Sequence, residues 1–185
     1  MKKIVDFIKN LFSEKTINKK TLLIGLLIVF GTIVIDQVSK IYMENLLTTK
    51  GTIVVIEDFF KLQLHYNTGA AFSSFDGNFV FLMLMTLVAS IVFVFMAFMS
   101  DFDTKLFYTI GVFLMIGGMI GNFIDRVFRF GQGVVDFLSF TFFGWDFAVF
   151  NMADTFLVIG VICVVIDLLF FEGKREKLKE ESSNL

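Results

Sequence analysis

Two aspartates, Asp136 and Asp154, stand in apolar surroundings in the second half of this 185-residue chain, in the runs VVDF and FNMAD. Two carboxylates close together in a site of low dielectric cannot both ionise easily, so they share a proton. The ionised carboxylate can take a proton from a water that attacks a peptide carbonyl, and the protonated one can donate to the carbonyl oxygen or to the leaving amine. The pair could therefore perform aspartic proteolysis, which needs no metal or other cofactor. Spacing alone leaves open that each aspartate has a separate structural role.

Four residues that could orient a carboxylate or hold a peptide lie near the two aspartates in sequence. Asn122 and Asp125 are three positions apart in an apolar run, and Asn151 and Asp154 have the same spacing. Residues three apart share one face of a helix. Asp125 lies at the C-terminal end of its run, where the helix dipole disfavours a carboxylate. We therefore expect Arg126 or another donor to compensate it, in a supporting rather than a catalytic role.

Three further candidates lie earlier in the chain. Asp36 and Lys40 are four positions apart, a spacing that suits an ion pair on a helix and favours a structural role. Asn67 adds a side-chain amide that could hold a peptide backbone. The run GGMIG immediately before Asn122 would allow helices to approach closely.

The composition is that of a membrane protein. The chain is 56% hydrophobic and contains 27 Phe, and its mean hydropathy is +0.80. Globular proteins are only about half apolar. The net charge of −2 gives no basis for binding nucleic acid. One Cys and one His exclude a disulfide framework and a zinc site built from several of these residues.

Four apolar runs approach or reach the roughly 20 residues that a helix needs to cross a bilayer. The first begins near residue 21, is apolar to residue 35 and ends in DQVSK at 36–40. The other three cover about 79–99, 106–124 and 150–171. The predicted fold class is therefore an α-helical membrane protein with four transmembrane helices. Alternation in the connection at about 51–66 predicts strands and a small sheet on or beside the membrane surface.

The distribution of Lys and Arg predicts the orientation. Eleven of them fall on the side of the two termini and five on the other side, so we expect cytoplasmic termini. The connections at about 41–78 and 125–149 are then extracytoplasmic. Every candidate polar residue named above falls at this outer interface, whereas scattered structural residues would not sort to one side. Asp167, near the cytoplasmic end of the fourth run, is expected to be solvated.

The chain divides into three parts. Residues 1–20 carry six Lys and form either a basic amphipathic helix on the membrane surface or a solvated basic tail. Residues 21–171 form the four-helix domain with its sheet. Residues 172–185 form a charged cytoplasmic tail.

Five sequence blocks in this order resemble the lipoprotein signal peptidases, or signal peptidase II. The blocks are DQVSK (36–40), NTGAAF (67–72), GGMIGNFIDR (117–126), VVDF (134–137) and FNMAD (150–154). The resemblance implies four transmembrane helices with an extracytoplasmic β-cradle. It also implies an aspartic endopeptidase with Asp136 and Asp154 as catalytic residues. The supporting residues would be Asp36, Lys40, Asn67, Asn122, Asp125, Arg126 and Asn151.

The resemblance further implies the substrate and the location. The family removes signal peptides from bacterial prolipoproteins that carry a diacylglyceryl cysteine, so we expect these substrates and membrane lipid as partners. We expect a monomer in the bacterial cytoplasmic membrane, with its active site at the extracytoplasmic interface. A proton- or cation-coupled transporter is the alternative, because intramembrane carboxylates also form proton relays. A purely structural scaffold would leave the one-sided polar cluster unexplained.

Overall fold

The structure, a computed structural model, describes residues 17–69, 79–129 and 131–183. The basic segment predicted at residues 1–20 lies outside this part of the chain except for its last four positions. The helices are α1 (Lys19–Lys50), α2 (Phe79–Phe98), α3 (Leu106–Phe128), α4 (Met152–Phe170) and α5 (Glu172–Ser183). The strands are β1 (Ile53–Ile56), β2 (Phe60–Asn67), β3 (Val134–Phe142) and β4 (Trp145–Asp146).

Helices α1 to α4 are each long and apolar enough to cross a membrane, and they confirm the predicted fold class. The first helix differs from the prediction, because α1 continues past residues 36–40 to Lys50. Asp36 and Lys40 lie in its interior and are 0% and 1% exposed. Their polar groups have partners inside the protein, so they do not need the water that the end of a span would offer. The helix ends at Gly51, whose φ of 72° suits glycine.

Helix α3 lies at the centre of the bundle and packs on α1, α2 and α4. Its contact with α4 is close enough for the two backbones to touch. A Cβ atom added at Gly111 would lie 2.5 Å from the carbonyl oxygen of Gly160, and one added at Gly160 would lie 2.6 Å from that of Gly111. Small residues permit this approach between membrane helices. The close packing of α3 on α4 brings the end of α3 to the start of α4.

The four strands form one antiparallel sheet in the order β1-β2-β3-β4. The predicted strands at 51–66 are confirmed, but β3 and β4 were not expected in the connection at 125–149. The run from Val134 to Phe137 is buried on both faces, so it lacks the period-two alternation of a half-exposed strand. Strand β2 pairs with β3 so that Asn67 lies opposite Val134 and His65 opposite Asp136.

An apolar cluster fixes the sheet to the end of α1. Leu47 on α1 packs with Val135 and Phe137 on β3, and all three are buried. Because side chains alternate along a strand, Asp136 points to the opposite face from Val135 and Phe137. The cluster therefore sets the direction in which the carboxylate of Asp136 points.

Asp167 on α4 is buried, so the prediction from its sequence position that it is solvated is wrong. It is 1% exposed, and its Oδ1 accepts a hydrogen bond of 3.2 Å from Nη1 of Arg175 on α5. A second bond joins the Arg175 Nη2 to the other carboxylate oxygen. The polar tail supplies a cation that replaces water at this carboxylate.

Candidate active site

Two asparagine amides join the carboxylates of Asp136 and Asp154. Asn151 Nδ2 donates to Asp136 Oδ1 at 2.6 Å and to Asn122 Oδ1 at 3.0 Å. Asn122 Nδ2 in turn donates to Asp154 Oδ1 at 2.7 Å. Asp136 is 1% exposed and Asn151 is 0% exposed. Residues from β3, α3 and the start of α4 thus meet in one hydrogen-bonded chain, which is buried at Asp136 and Asn151 and partly buried at Asp154.

Asp154 is held by the way its helix begins. Asn151 is the N-cap of α4, and its Oδ1 accepts a bond of 3.0 Å from the backbone N–H of Asp154. Oδ2 of Asp154 accepts a bond of 3.2 Å from the backbone N–H of Asn151. This reciprocal capping box satisfies two N–H groups at the helix end. It also fixes the side chain of Asp154 toward Asn122.

Asp136 receives a second amide from strand β2. Asn67 Nδ2 donates to Asp136 Oδ2 at 3.1 Å, while the Asn67 Oδ1 accepts a bond of 3.0 Å from the N–H of Gly69. The pairing of β2 with β3 sets this contact. Both oxygens of the Asp136 carboxyl group therefore have an amide donor.

The pKa of Asp136 is raised from its ordinary value to about 7. Burial is the largest cause, because it disfavours the charged form, and the negative charge of Asp154 adds to it. The bonds from Asn67 and Asn151 act in the opposite direction without cancelling the rise. Asp136 therefore carries a proton for much of the time at neutral pH.

This raised pKa predicts a pH-dependent difference in stability between the wild type and Asp136→Asn. Between the unfolded pKa, near 4, and about 7, the folded state binds more protons than the unfolded state. The stability of the wild type therefore falls as pH rises through this window. Asparagine cannot ionise, so the variant escapes this loss, which is on the order of a few kcal/mol. We expect the melting temperature of the variant in detergent, relative to that of the wild type, to rise from pH 5 to 7 and then to stay constant. A difference that does not change with pH would contradict this.

A second set of charged residues lies behind the two aspartates. Lys40 Nζ lies 2.9 Å from Asp36 Oδ2 and 3.3 Å from Asp125 Oδ2, so the predicted Asp36–Lys40 ion pair is present and is shared with Asp125. The same ammonium group donates to Asn122 Oδ1 at 2.9 Å. Gly121 allows this packing, because a Cβ there would lie 2.5 Å from Asp36 Oδ2.

The carboxylates of Asp36 and Asp125 bond to the backbone next to Asp154 and Asp136. Asp36 Oδ1 accepts a bond of 2.9 Å from the N–H of Ala153, next to Asp154. Asp125 Oδ2 accepts a bond of 3.1 Å from the N–H of Val135, next to Asp136. Within the described ranges, no group of three or more His, Cys, Asp and Glu side chains is arranged to hold a metal ion.

Arg126 lies beside the site and does not pair with Asp125, for which Lys40 is the main cation. Its Nη1 donates to the carbonyl oxygen of Asn122 and its Nη2 to that of Gly69, both at 3.4 Å. Its Nε is buried and has no hydrogen-bond partner among the described residues. A buried donor without a partner is costly. Within the described part of the chain, this leaves Arg126 with an N–H group that could bind a ligand.

The structure adds residues that the sequence patterns do not single out. Arg129 Nη1 lies 2.6 Å from Glu44 Oε1, and the hydroxyl of Tyr66 donates to the same oxygen at 2.8 Å. These contacts tie α1, the end of α3 and β2 together beside Asn67. Their partners are 85 and 22 positions apart in sequence, so spacing gives no signal for them. Gln37 is another such residue; it lies in the block DQVSK and bonds to both Asp36 and Asp125.

Comparisons with known proteins place this arrangement in a family. A family model described as signal peptidase (SPase) II matches residues 28–170. The lipoprotein signal peptidase of Staphylococcus aureus strain MRSA252 is 37% identical over 154 residues, which are 83% of this chain and 93% of that protein. The protein of the same name from strain Newman is 36% identical over the same shares.

Two solved structures of bacterial membrane enzymes, obtained by the in meso method, have a similar fold. One, at 2.3 Å resolution, has a TM-score of 0.66 and 36% identity, and the match covers 78% of this chain and 87% of that one. The other, at 1.9 Å resolution, has a TM-score of 0.65 and 35% identity, with 80% and 93% covered. The chain therefore belongs to the signal peptidase II family, the lipoprotein signal peptidases.

Proposed function

We propose that this protein is an aspartic endopeptidase that removes signal peptides from diacylglyceryl-modified bacterial prolipoproteins, with Asp136 and Asp154 as its catalytic residues. The observation that carries the proposal is the hydrogen-bonded chain from Asp136 through Asn151 and Asn122 to Asp154. Family membership supports cleavage of lipoprotein signal peptides and speaks against the transporter alternative. Cleavage of a diacylglyceryl-modified prolipoprotein by the purified protein and its aspartate variants tests it.

The two aspartates take different roles in this mechanism. Asp136, whose pKa is about 7, supplies the proton to the carbonyl oxygen of the scissile bond. Asp154 lies in the first turn of α4, where the helix dipole favours a carboxylate, and it takes a proton from the attacking water. The resulting tetrahedral intermediate breaks its C–N bond when the carboxyl group of Asp154 returns this proton to the leaving amine. The hydroxyl formed on the carbonyl returns its proton to Asp136 as the new carboxyl group forms, which restores the starting state.

Amide and guanidinium donors around the pair hold the peptide in register. Asn67, Asn122 and Asn151 already orient the two carboxylates, so they limit the movement of the reacting groups. Arg126, whose Nε has no hydrogen-bond partner among the described residues, binds a backbone carbonyl of the substrate. Both aspartates and the amides that orient them are complete within a single chain, so we propose a monomer as the active form.

We place the site at the extracytoplasmic face of the bacterial cytoplasmic membrane, with both termini in the cytoplasm. The excess of Lys and Arg on the side of the termini supports this orientation. The diacylglyceryl chains of the substrate then remain in lipid while the scissile bond reaches the two aspartates. The sheet lies at the outer surface, where its far end exposes Phe143, at 103%, and Trp145, at 82%.

The single tryptophan of the chain reports where the sheet lies. If the sheet rests at the lipid interface, where aromatic rings concentrate, Trp145 in liposomes emits at shorter wavelength than tryptophan in water. Lipids brominated near the headgroup are then expected to quench it strongly. The matched control is Leu178→Trp in a Trp145→Phe background, because Leu178 is 65% exposed on the polar helix α5. Emission from Trp145 that matches this control, with quenching by aqueous acrylamide only, would place the sheet in water instead.

A further inference from the structure

The side chain of Gln37 on α1 lies between the two carboxylates that support the proposed catalytic pair. Its Nε2 is 3.1 Å from Asp36 Oδ2, 3.2 Å from Asp125 Oδ1 and 3.1 Å from the carbonyl oxygen of Gly121. When the two acids are ionised, all three partners are acceptors that cannot donate a hydrogen bond. The amide must therefore present its NH₂ group to them. This single donor group connects α1 with α3 beside both buried acids.

The charges around Gln37 explain why a neutral donor is needed there. Asp36 and Asp125 share the ammonium group of Lys40, and Asp125 also pairs more distantly with Arg129, whose Nε lies 3.9 Å from Asp125 Oδ1. Two carboxylates close together repel each other. The NH₂ group of Gln37 bonds to both of them and adds no charge. It thereby offsets the repulsion between the two acids that remains beside the shared Lys40 and the more distant Arg129.

The second carboxylate oxygen of Asp36 and of Asp125 accepts a hydrogen bond from the backbone next to a proposed catalytic residue. Asp36 holds the N–H of Ala153, next to Asp154, and Asp125 holds the N–H of Val135, next to Asp136. A movement of either acid would shift the backbone that carries one catalytic carboxylate. A misplacement of about 1 Å can reduce the rate of an enzyme by about a hundredfold.

We infer that Gln37 is a positioning residue for catalysis: it bridges Asp36 and Asp125 and so fixes the separation of Asp136 and Asp154. The inference rests on the proposed function, because it assigns the effect of Gln37 to that catalytic pair. Gln37 does not touch the reacting atoms. Its loss therefore lowers kcat and leaves KM unchanged.

Two variants of similar shape test this role with a diacylglyceryl-modified prolipoprotein as substrate. Gln37→Met keeps the volume and removes the donor, and we expect kcat to fall by about tenfold to a hundredfold while the protein remains folded. Gln37→Glu adds a third carboxylate next to Asp36 and Asp125. It is expected to be impaired at neutral pH and to recover relative to the wild type as pH falls, because a protonated Glu regains one donor. Gln132→Met is the matched control; Gln132 is exposed in the turn before β3, and its variant is expected to retain the wild-type kcat.

The outcomes separate this inference from the proposed function. If Asp136→Asn is inactive while Gln37→Met has the kcat of the wild type, the positioning role is wrong and the proposed function stands. If Asp136→Asn is active, the proposed function itself fails. A Gln37→Met variant that loses activity only in proportion to lost folded protein, with no acid recovery of Gln37→Glu, would assign Gln37 to structure alone and overturn the inference.

Discussion

Replacing Lys40 by methionine is expected to destabilise the protein by about 3 to 5 kcal/mol, the usual effect of breaking a buried ion pair. Lys40 is 1% exposed and is the ammonium partner of both Asp36 and Asp125. Methionine fills most of the volume but leaves two buried carboxylates without this cation. The bond from Lys40 to Asn122 is also lost, so the support of Asp154 is weakened. Thermal unfolding in detergent is expected to show a melting temperature lower by on the order of 10 °C.

Two further proteins make this prediction specific to the buried charges. Lys174→Met is the matched control, because Lys174 is exposed on α5 and its loss should leave the melting temperature unchanged. Combining Lys40→Met with Asp36→Asn and Asp125→Asn removes all three charges, and we expect this protein to regain part of the lost stability. If Lys40→Met has the same melting temperature as the wild type, the ammonium group does not stabilise the two acids.

The helices were predictable because a bilayer demands long apolar runs, and those runs are visible in the sequence. The end of α1 was not predictable from them. DQVSK at 36–40 resembles the polar end of a span, but Asp36 and Lys40 are satisfied by Asp125, Asn122 and Ala153, which lie on other helices. Hydropathy cannot distinguish a residue that reaches water from one that finds partners inside the protein.

The sheet shows a similar limit. Strand β2 was visible as the alternation from Phe60 to Tyr66, whereas β3 is an apolar run with Asp136 inside it. A strand covered on both faces loses alternation, so Asp136 could be assigned only to a loop. The contact of Asn67 with Asp136 depends on the pairing of β2 with β3, which sequence spacing does not give.

The grouping of the candidate residues was predictable because the predicted four-span topology puts all of them on the same side of the membrane. The structure does bring Asp36, Lys40, Asn67, Asn122, Asp125, Arg126, Asp136, Asn151 and Asp154 into one place. The contacts that each of these residues makes with the others were not predictable. Lys40 serves two acids and Gln37 bridges the same two only because Asp125, which is 88 positions from Gln37 in sequence, lies beside both side chains.

Replacing either proposed catalytic aspartate by asparagine is expected to lower kcat by at least about a thousandfold, since each loss removes an acid or base from the transition state. Asparagine has the shape of aspartate but can neither carry the acidic proton nor take one from water. The double variant is expected to be no less active than either single variant, because the two groups act as a unit. The controls are Asp58→Asn and Asp146→Asn, since both side chains lie on the exposed far end of the sheet.

The most direct measurement is the rate at which purified, folded wild-type protein, Asp136→Asn and Asp154→Asn release the signal peptide from one diacylglyceryl-modified prolipoprotein in the same detergent. Thermal unfolding of each sample shows that equal amounts of folded protein are compared. We predict rapid cleavage by the wild type and the two control variants and almost none by either single variant. Full turnover by Asp136→Asn or Asp154→Asn would show that the two carboxylates do not carry out the hydrolysis.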